Sequence, residues 1–110
     1  MNTTQSGLVA IGSPDSEMRK LTEKKYTFHE DAGHGWLAVP VTHLRILNIL
    51  DKISGYSYRN GSVAFLEEDC DYSVFADTWE QFTGLKIGEY IDSVYDGDSS
   101  GIRNFAGFYL

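Results

Sequence analysis

Asn60-Gly61 is the tightest constraint written into this chain. A type I′ turn needs positive φ at both central residues, and Asn-Gly meets that need at low steric cost, so the dipeptide marks the tip of a β-hairpin. Pairing Arg59 with Ser62 sets Tyr58 opposite Val63 and Tyr56 opposite Phe65 on one aromatic face, while Ser57, Ala64 and Leu66 point to the other. Such a hairpin belongs to the core of whatever fold forms.

The rest of the chain supplies its neighbours. Tyr26 to Asp31 alternates with period two, Ala32-Gly33-His34-Gly35 interrupts it, and Trp36 to Val39 resumes an apolar run as far as Pro40; these read as a second hairpin. Three helices are expected. Ser13-Pro14-Asp15-Ser16-Glu17 is a helix start with Ser13 as cap, running over about 14–24. Thr42 caps a second, whose Leu44, Leu47 and Leu50 form an apolar stripe that closes before Ser54-Gly55. Asp69 or Asp71 caps a third, with Tyr72, Phe75, Ala76, Trp79 and Phe82 on one side and Gly84 at its end. Ile87–Tyr95 reads as a further strand, Asp96 to Gly101 as a turn, and Ile102–Leu110 as a last strand weakened by Gly107. At 110 residues there is material for one core and not for two. The expectation is a flexible leader over 1–25 with its short helix, then one α+β domain over 26–110, an antiparallel sheet of about four to six strands covered by two or three helices.

Charge narrows the function classes. Sixteen acids against nine bases give a net −7, yet residues 1–25 are slightly positive, so the thirteen acids and five bases after them concentrate the negative charge in the folded part. Between Glu67 and Asp98 stand ten acids and one base, Lys86. That stretch is also rich in aromatics, which marks it as ordered and not as an acidic tail. Such a charge argues against direct contact with nucleic acid and against an anionic membrane. The single cysteine, Cys70, cannot form an internal disulfide, and neither a membrane-length apolar run nor a signal peptide is visible, so a soluble cytoplasmic protein is expected.

No reaction is spelled out. His29-Glu30-Asp31-x-x-His34 invites a metal reading with His29, Asp31 and His34 as ligands, but a zincin needs histidines four apart on a helix, and these are five apart across a strand and a glycine loop. The reading set against it is a polar strand edge with a loop histidine, no metal and no cofactor. Glu67-Glu68-Asp69-Cys70-Asp71 packs four carboxylates around a thiol; acids raise a thiol's pKa, which is the wrong direction for a nucleophile, and the calcium-loop pattern is absent. Gly97-Asp98-Ser99 resembles a hydrolase serine motif without the large parallel α/β domain that serine opens, and no phosphate loop or dinucleotide fingerprint occurs. A non-enzymatic protein is expected.

What remains is the acidic surface. An ordered frame that holds carboxylates in fixed positions can occupy a basic groove built for phosphates, as DNA mimics do, although acidity also serves plain solubility. The expected partner-binding residues are Glu67, Glu68, Asp69, Asp71, Asp77, Glu80, Asp92, Asp96 and Asp98.

His29-Glu-Asp-Ala-Gly-His-Gly-Trp-Leu37, Ile53-Ser-Gly-Tyr-Ser-Tyr58, Phe65-Leu-Glu-Glu-Asp-Cys-Asp71 and Asp96-Gly-Asp-Ser99 with Ile102-Arg103 together resemble a group of small proteins carried by phages, plasmids and other mobile elements. The likeness spans roughly residues 26–105. The group has no assigned activity, so the resemblance implies no catalytic residue. By the company such proteins keep, it implies evasion of host defence, of the anti-CRISPR or anti-restriction kind, with a host defence protein or nucleoprotein complex as partner. Two other readings stay open. One is a small metal-dependent or acid/base enzyme using His29, Asp31, His34, Glu67 and Asp69, and the other is an immunity protein against a nuclease toxin.

Overall fold

The computed structural model describes residues 14–109; the first part of the leader, Ser13 included, lies outside them. The elements run α1 (Pro14–Thr22), β1 (Tyr26–Glu30), β2 (Gly35–Pro40), α2 (Val41–Ile46), β3 (Tyr58–Asn60), β4 (Val63–Glu67), α3 (Tyr72–Thr83), β5 (Ile91–Tyr95) and β6 (Ala106–Gly107). Single 3₁₀ turns stand at Leu50–Lys52, Ile87–Tyr90 and Gly101–Asn104. The fold is α+β, as expected, built on one open six-stranded sheet of order β5-β1-β2-β4-β3-β6.

The sheet is mixed and not purely antiparallel. Four of its pairings are antiparallel, but β5 runs parallel to β1, with Tyr26 against Ile91 and Glu30 against Tyr95. The cause is α3. Because β4 and β1 point the same way, a chain that leaves β4, crosses the sheet as a helix and returns at the far edge lies parallel to its new neighbour. The strand expected over Ile87–Tyr95 is also halved, since Ile87–Tyr90 is spent on the 3₁₀ turn that ends the crossover. The last strand shrinks to Ala106–Gly107 beside β3, preceded by the Gly101–Asn104 turn.

Alternation decides the faces. On the inner face Tyr26, Leu37, Val39, Ala64 and Leu66 join Leu21, Leu44, Phe75 and Trp79 from the three helices in one buried cluster. Trp79 has no exposed surface, and its indole N–H donates to the Leu21 carbonyl at 3.4 Å. Of the expected α3 stripe, Phe75, Ala76 and Trp79 are buried, whereas Phe82 sits at the rim, 37% exposed. The outer face carries His29, Trp36, Tyr58 and Phe65, and Phe105 packs on Phe65 at 5.2 Å between ring centres.

The Asn60-Gly61 hairpin forms one step along from its expected register. Asn60 pairs with Val63, Arg59 with Ala64 and Tyr58 with Phe65, and positive φ is needed only at Gly61, which stands first of the two turn residues. Moving the turn by one residue slides the pairing by two, so every side chain keeps its face. Tyr56 is left out of the ladder and 72% exposed. Thr42 lies inside α2 and not at its cap, which is Pro40, and the helix ends at Leu47 before Asn48 at φ 58°. Among the described residues, no helix is long and apolar enough to cross a membrane.

Candidate functional site

Asp31 closes β1. With its side chain fully enclosed, its Oδ1 accepts from the Gly33 and His34 amides at 2.9 and 3.0 Å and from Arg103 Nη2 at 2.8 Å. Oδ2 accepts from Ser100 N–H at 2.8 Å and from Arg103 Nε at 2.6 Å. The guanidinium of Arg103, and after it the Ser100 amide, hold this carboxyl well below the usual carboxylate range. Asp31 thus clasps the turn between β1 and β2 to the C-terminal segment and has no lone pair left for a metal. Next to it His29 Nδ1 lies 3.1 Å from Asp96 Oδ2, which also accepts from Ser100 Oγ at 2.7 Å. The Ser100 hydroxyl, with a smaller contribution from His29, lowers the Asp96 pKa. The candidate ligand set of His29, Asp31 and His34 is therefore not brought together.

Asp71 does not belong to the surface either. It is 3% exposed, and its carboxylate accepts from Ser54 N–H, Ser54 Oγ and the fully buried Ser57 Oγ, which in turn accepts from the Glu67 amide. Although it stands at the N-cap of α3, its side chain makes no capping bond, because the serines have claimed it.

Glu67 is also drawn in, at 9% exposure, with Oε1 accepting from Asp69 N–H at 2.8 Å and Oε2 at 3.7 Å from His34 Nδ1. His34, Glu67, Glu68 and Asp69 each place one donor atom within 4.8 Å of the others, so these four are the groups that could hold a cation. Three of them, His34, Glu67 and Asp69, border a cleft of about 270 Å³ on the outer face that Trp36, Tyr58, Cys70 and Arg103 also line. The Arg103 guanidinium sits over the Trp36 ring at 5.3 Å, while the buried Trp36 indole N–H finds no acceptor among the described residues. Desolvation, and then Glu67, push the exposed Cys70 thiol up, the direction the charge pattern implied and the wrong one for a nucleophile.

The remaining acids face solvent. Glu68, Asp69, Asp77, Glu89, Asp92 and Asp98 are exposed; Glu80 is half-buried and accepts from the Ile87 amide at 3.0 Å. Asp92 meets Lys25 at 3.6 Å, and among the described residues no cation pairs with Glu68, Asp69, Asp77, Glu89 or Asp98. Glu68 also borders a groove of about 480 Å³ beside β5, lined by Phe28, Tyr72, Gly88, Ile91 and Ser93. Its floor depends on Gly35. A Cβ there would stand 2.4 Å from Phe28 Cζ, so only glycine lets that ring lie across β2 and meet Tyr72 edge-on at 6.2 Å.

Comparisons with protein-family models, with curated proteins and with solved structures return no match. Ser54, Ser57 and Trp36 escaped the sequence reading because the partners that matter lie outside their own local segments, and Ser100 because its link to Asp31 spans 69 residues although Asp96 is near. Arg103 stood inside a resembling string, but nothing local pointed to Asp31.

Proposed function

We propose that the protein is a non-enzymatic acidic inhibitor of the anti-CRISPR or other anti-defence kind, which occupies a basic nucleic-acid-binding surface of a host defence complex in the manner of a DNA mimic. The observation that carries this reading is the set of exposed carboxylates without a cation partner among the described residues, Asp77 on α3, Glu89 on a 3₁₀ turn, Glu68 and Asp69 in the turn after β4 and Asp98 after β5, with Asp92 on β5 itself. Fixed like charges repel one another, and a surface rich in Lys and Arg relieves that repulsion while being steered in by it. Asp31, Asp71 and Asp96 stand apart from this field because intramolecular partners already hold them.

The test is competition. A purified CRISPR surveillance complex and a restriction endonuclease, each bound to labelled DNA, are challenged with the protein over a range of salt. Displacement of DNA from one of them, slowing as salt rises and lost on combining Glu68→Lys, Asp77→Lys and Asp92→Lys, supports the reading. Displacement indifferent both to salt and to the triple reversal, or no displacement from either complex, overturns it.

The cluster of His34, Glu67, Glu68 and Asp69 favours one alternative, a small metal-dependent enzyme. Stoichiometric zinc or manganese in the native protein, lost on His34→Ala, would decide for it.

A further inference from the structure

One long edge of the sheet is open. Among the described residues β5 pairs only with β1, so its ladder bonds lie on one side and its other side is unpaired. The Asp96 amide donates to the Glu30 carbonyl, which fixes the phase of the ladder: Asp92 and Val94 turn their N–H and C=O groups toward β1, whereas Ile91, Ser93 and Tyr95 turn theirs outward. Ile91–Tyr95 contains no proline, lysine or bulge, the usual devices that blunt an edge. Two of its large side chains are offered to solvent, Val94 at 42% and Tyr95 at 64% exposure.

The inner face beside that edge is hollow. Ser93 shares a face with Phe28, and both line the groove that Tyr72 and Glu68 close from the α3 side. A strand added about 4.8 Å outside β5 would carry every second side chain on this same face, next to the groove. The groove offers an exposed carboxylate, Glu68, beside the touching rings of Phe28 and Tyr72, which together are the complement of a guanidinium or ammonium. Glu89 stands in the chain between the groove residues Gly88 and Ile91, and Asp92, on the opposite face of β5, meets Lys25 at 3.6 Å.

We propose that the outer edge of β5 receives an extended, arginine- or lysine-bearing segment of a protein partner as an added strand, with one basic side chain turned into the groove onto Glu68, alongside Phe28 and Tyr72. Charge selects this occupant. A second copy of the chain would bring Ile91–Tyr95, which holds no Lys or Arg to offer Glu68, whereas a basic segment supplies one. The inference deepens the acidic-docking reading and rests on it.

The experiment is amide hydrogen exchange by NMR on the full chain, with a capped hexapeptide of alternating valine and arginine as probe. In the free protein the Ser93 and Tyr95 amides exchange fast and those of Asp92 and Val94 slowly. With peptide bound, Ser93 and Tyr95 slow at least about tenfold, the mark of new main-chain bonds. Ser93→Pro removes an outward N–H and spares the β1 ladder, so the fold is kept while peptide affinity falls at least about tenfold. Glu68→Gln weakens the arginine peptide about threefold or more and leaves a valine-serine analogue unchanged. If Ser93→Pro unfolds the protein, a peptide methylated on alternate amide nitrogens carries the same test from the other side and must bind at least about tenfold more weakly. Salt-dependent binding with unchanged Ser93 and Tyr95 amides overturns strand addition and leaves acidic docking standing. Equal binding of the methylated peptide also refutes it. So does protection of Ser93 and Tyr95 in the free protein, which would mean the edge is already filled by this chain or a second copy. Loss of DNA displacement sensitivity to charge, with the edge amides still protected by peptide, sinks the docking reading instead.

Discussion

Asp71→Ala separates a structural carboxylate from a docking one. The Asp71 side chain collects the Ser54 amide at 3.1 Å, the Ser54 hydroxyl at 2.7 Å and the Ser57 hydroxyl, and Ser57 is wholly buried. A hydrogen bond to a charged acceptor contributes about 1.5–3 kcal/mol, and a donor stranded away from water costs about 1–3 kcal/mol more. Ser54 is half-buried and can turn to solvent, so its bonds count for less; Ser57 cannot. Discounting Ser54 and taking Ser57 in full, the substitution should cost about 3–4 kcal/mol. For a domain of this size that lowers Tm by roughly 12–25 °C. Asp71→Asn, which keeps the volume but presents an amide N–H₂ to the same donors, should cost about 2 kcal/mol. Urea unfolding followed by the fluorescence of the two buried tryptophans measures each variant, and a double-mutant cycle with Ser57→Ala should give a coupling of about 1–2 kcal/mol. An Asp71→Ala protein within about 0.5 kcal/mol of the parent, or a coupling near zero, would show that water and not this network satisfies the carboxylate.

Four further outcomes are expected. Trp79→Ala should cost about 3–5 kcal/mol in the same urea assay, because it empties a fully buried aromatic site. Gly35→Ala drives a Cβ into Phe28 and should cost about 1–3 kcal/mol, part of which Phe28→Leu recovers when the two are combined. Stability should fall in two stages on acidification. The His43 pKa is depressed by burial, so its share is whole above about pH 6.5 and declines below it, and the Asp31 pKa is depressed by Arg103, so its share is whole above about pH 4 and declines below that. His43→Gln should flatten the first stage and Asp31→Asn the second in Tm measured against pH. Cys70, although exposed, should react with iodoacetamide at pH 8 more slowly than free cysteine, with the rate still climbing as the thiol ionises above its ordinary range.

Local periodicity carried the strands and helices. The alternation of Tyr26 to Glu30 and the i, i+3, i+4, i+7 spacing of Tyr72 to Trp79 each fix a buried face without reference to anything distant. The Asn60-Gly61 hairpin tolerated an error in its turn because a slide of two residues preserves parity. What periodicity cannot carry is a neighbour. Ile91–Tyr95 looks the same whether it will lie parallel or antiparallel, and the parallel choice was made by the α3 crossover. The acids show the same limit. Within Glu67–Asp98 nothing local distinguishes Asp71 and Asp96 from Asp77 and Asp98, since the serines that capture the first two lie elsewhere in the chain or beyond a turn. The role of Asp31 is equally invisible locally, its arginine standing far along the sequence.

The parallel pairing of β5 with β1 also orders the assembly of the molecule in time. The β1–β2 and β3–β4 hairpins join residues close in sequence, whereas Phe28 and Ser93 meet only after α3 has been laid across the sheet. Closing that long loop comes late and is undone early, since few local contacts reward it. The β5 edge should therefore behave as a separate cooperative unit, detaching while the central hairpins persist. A partner that added a strand to it would do more than attach: it would lock in place the last part of the chain to arrive.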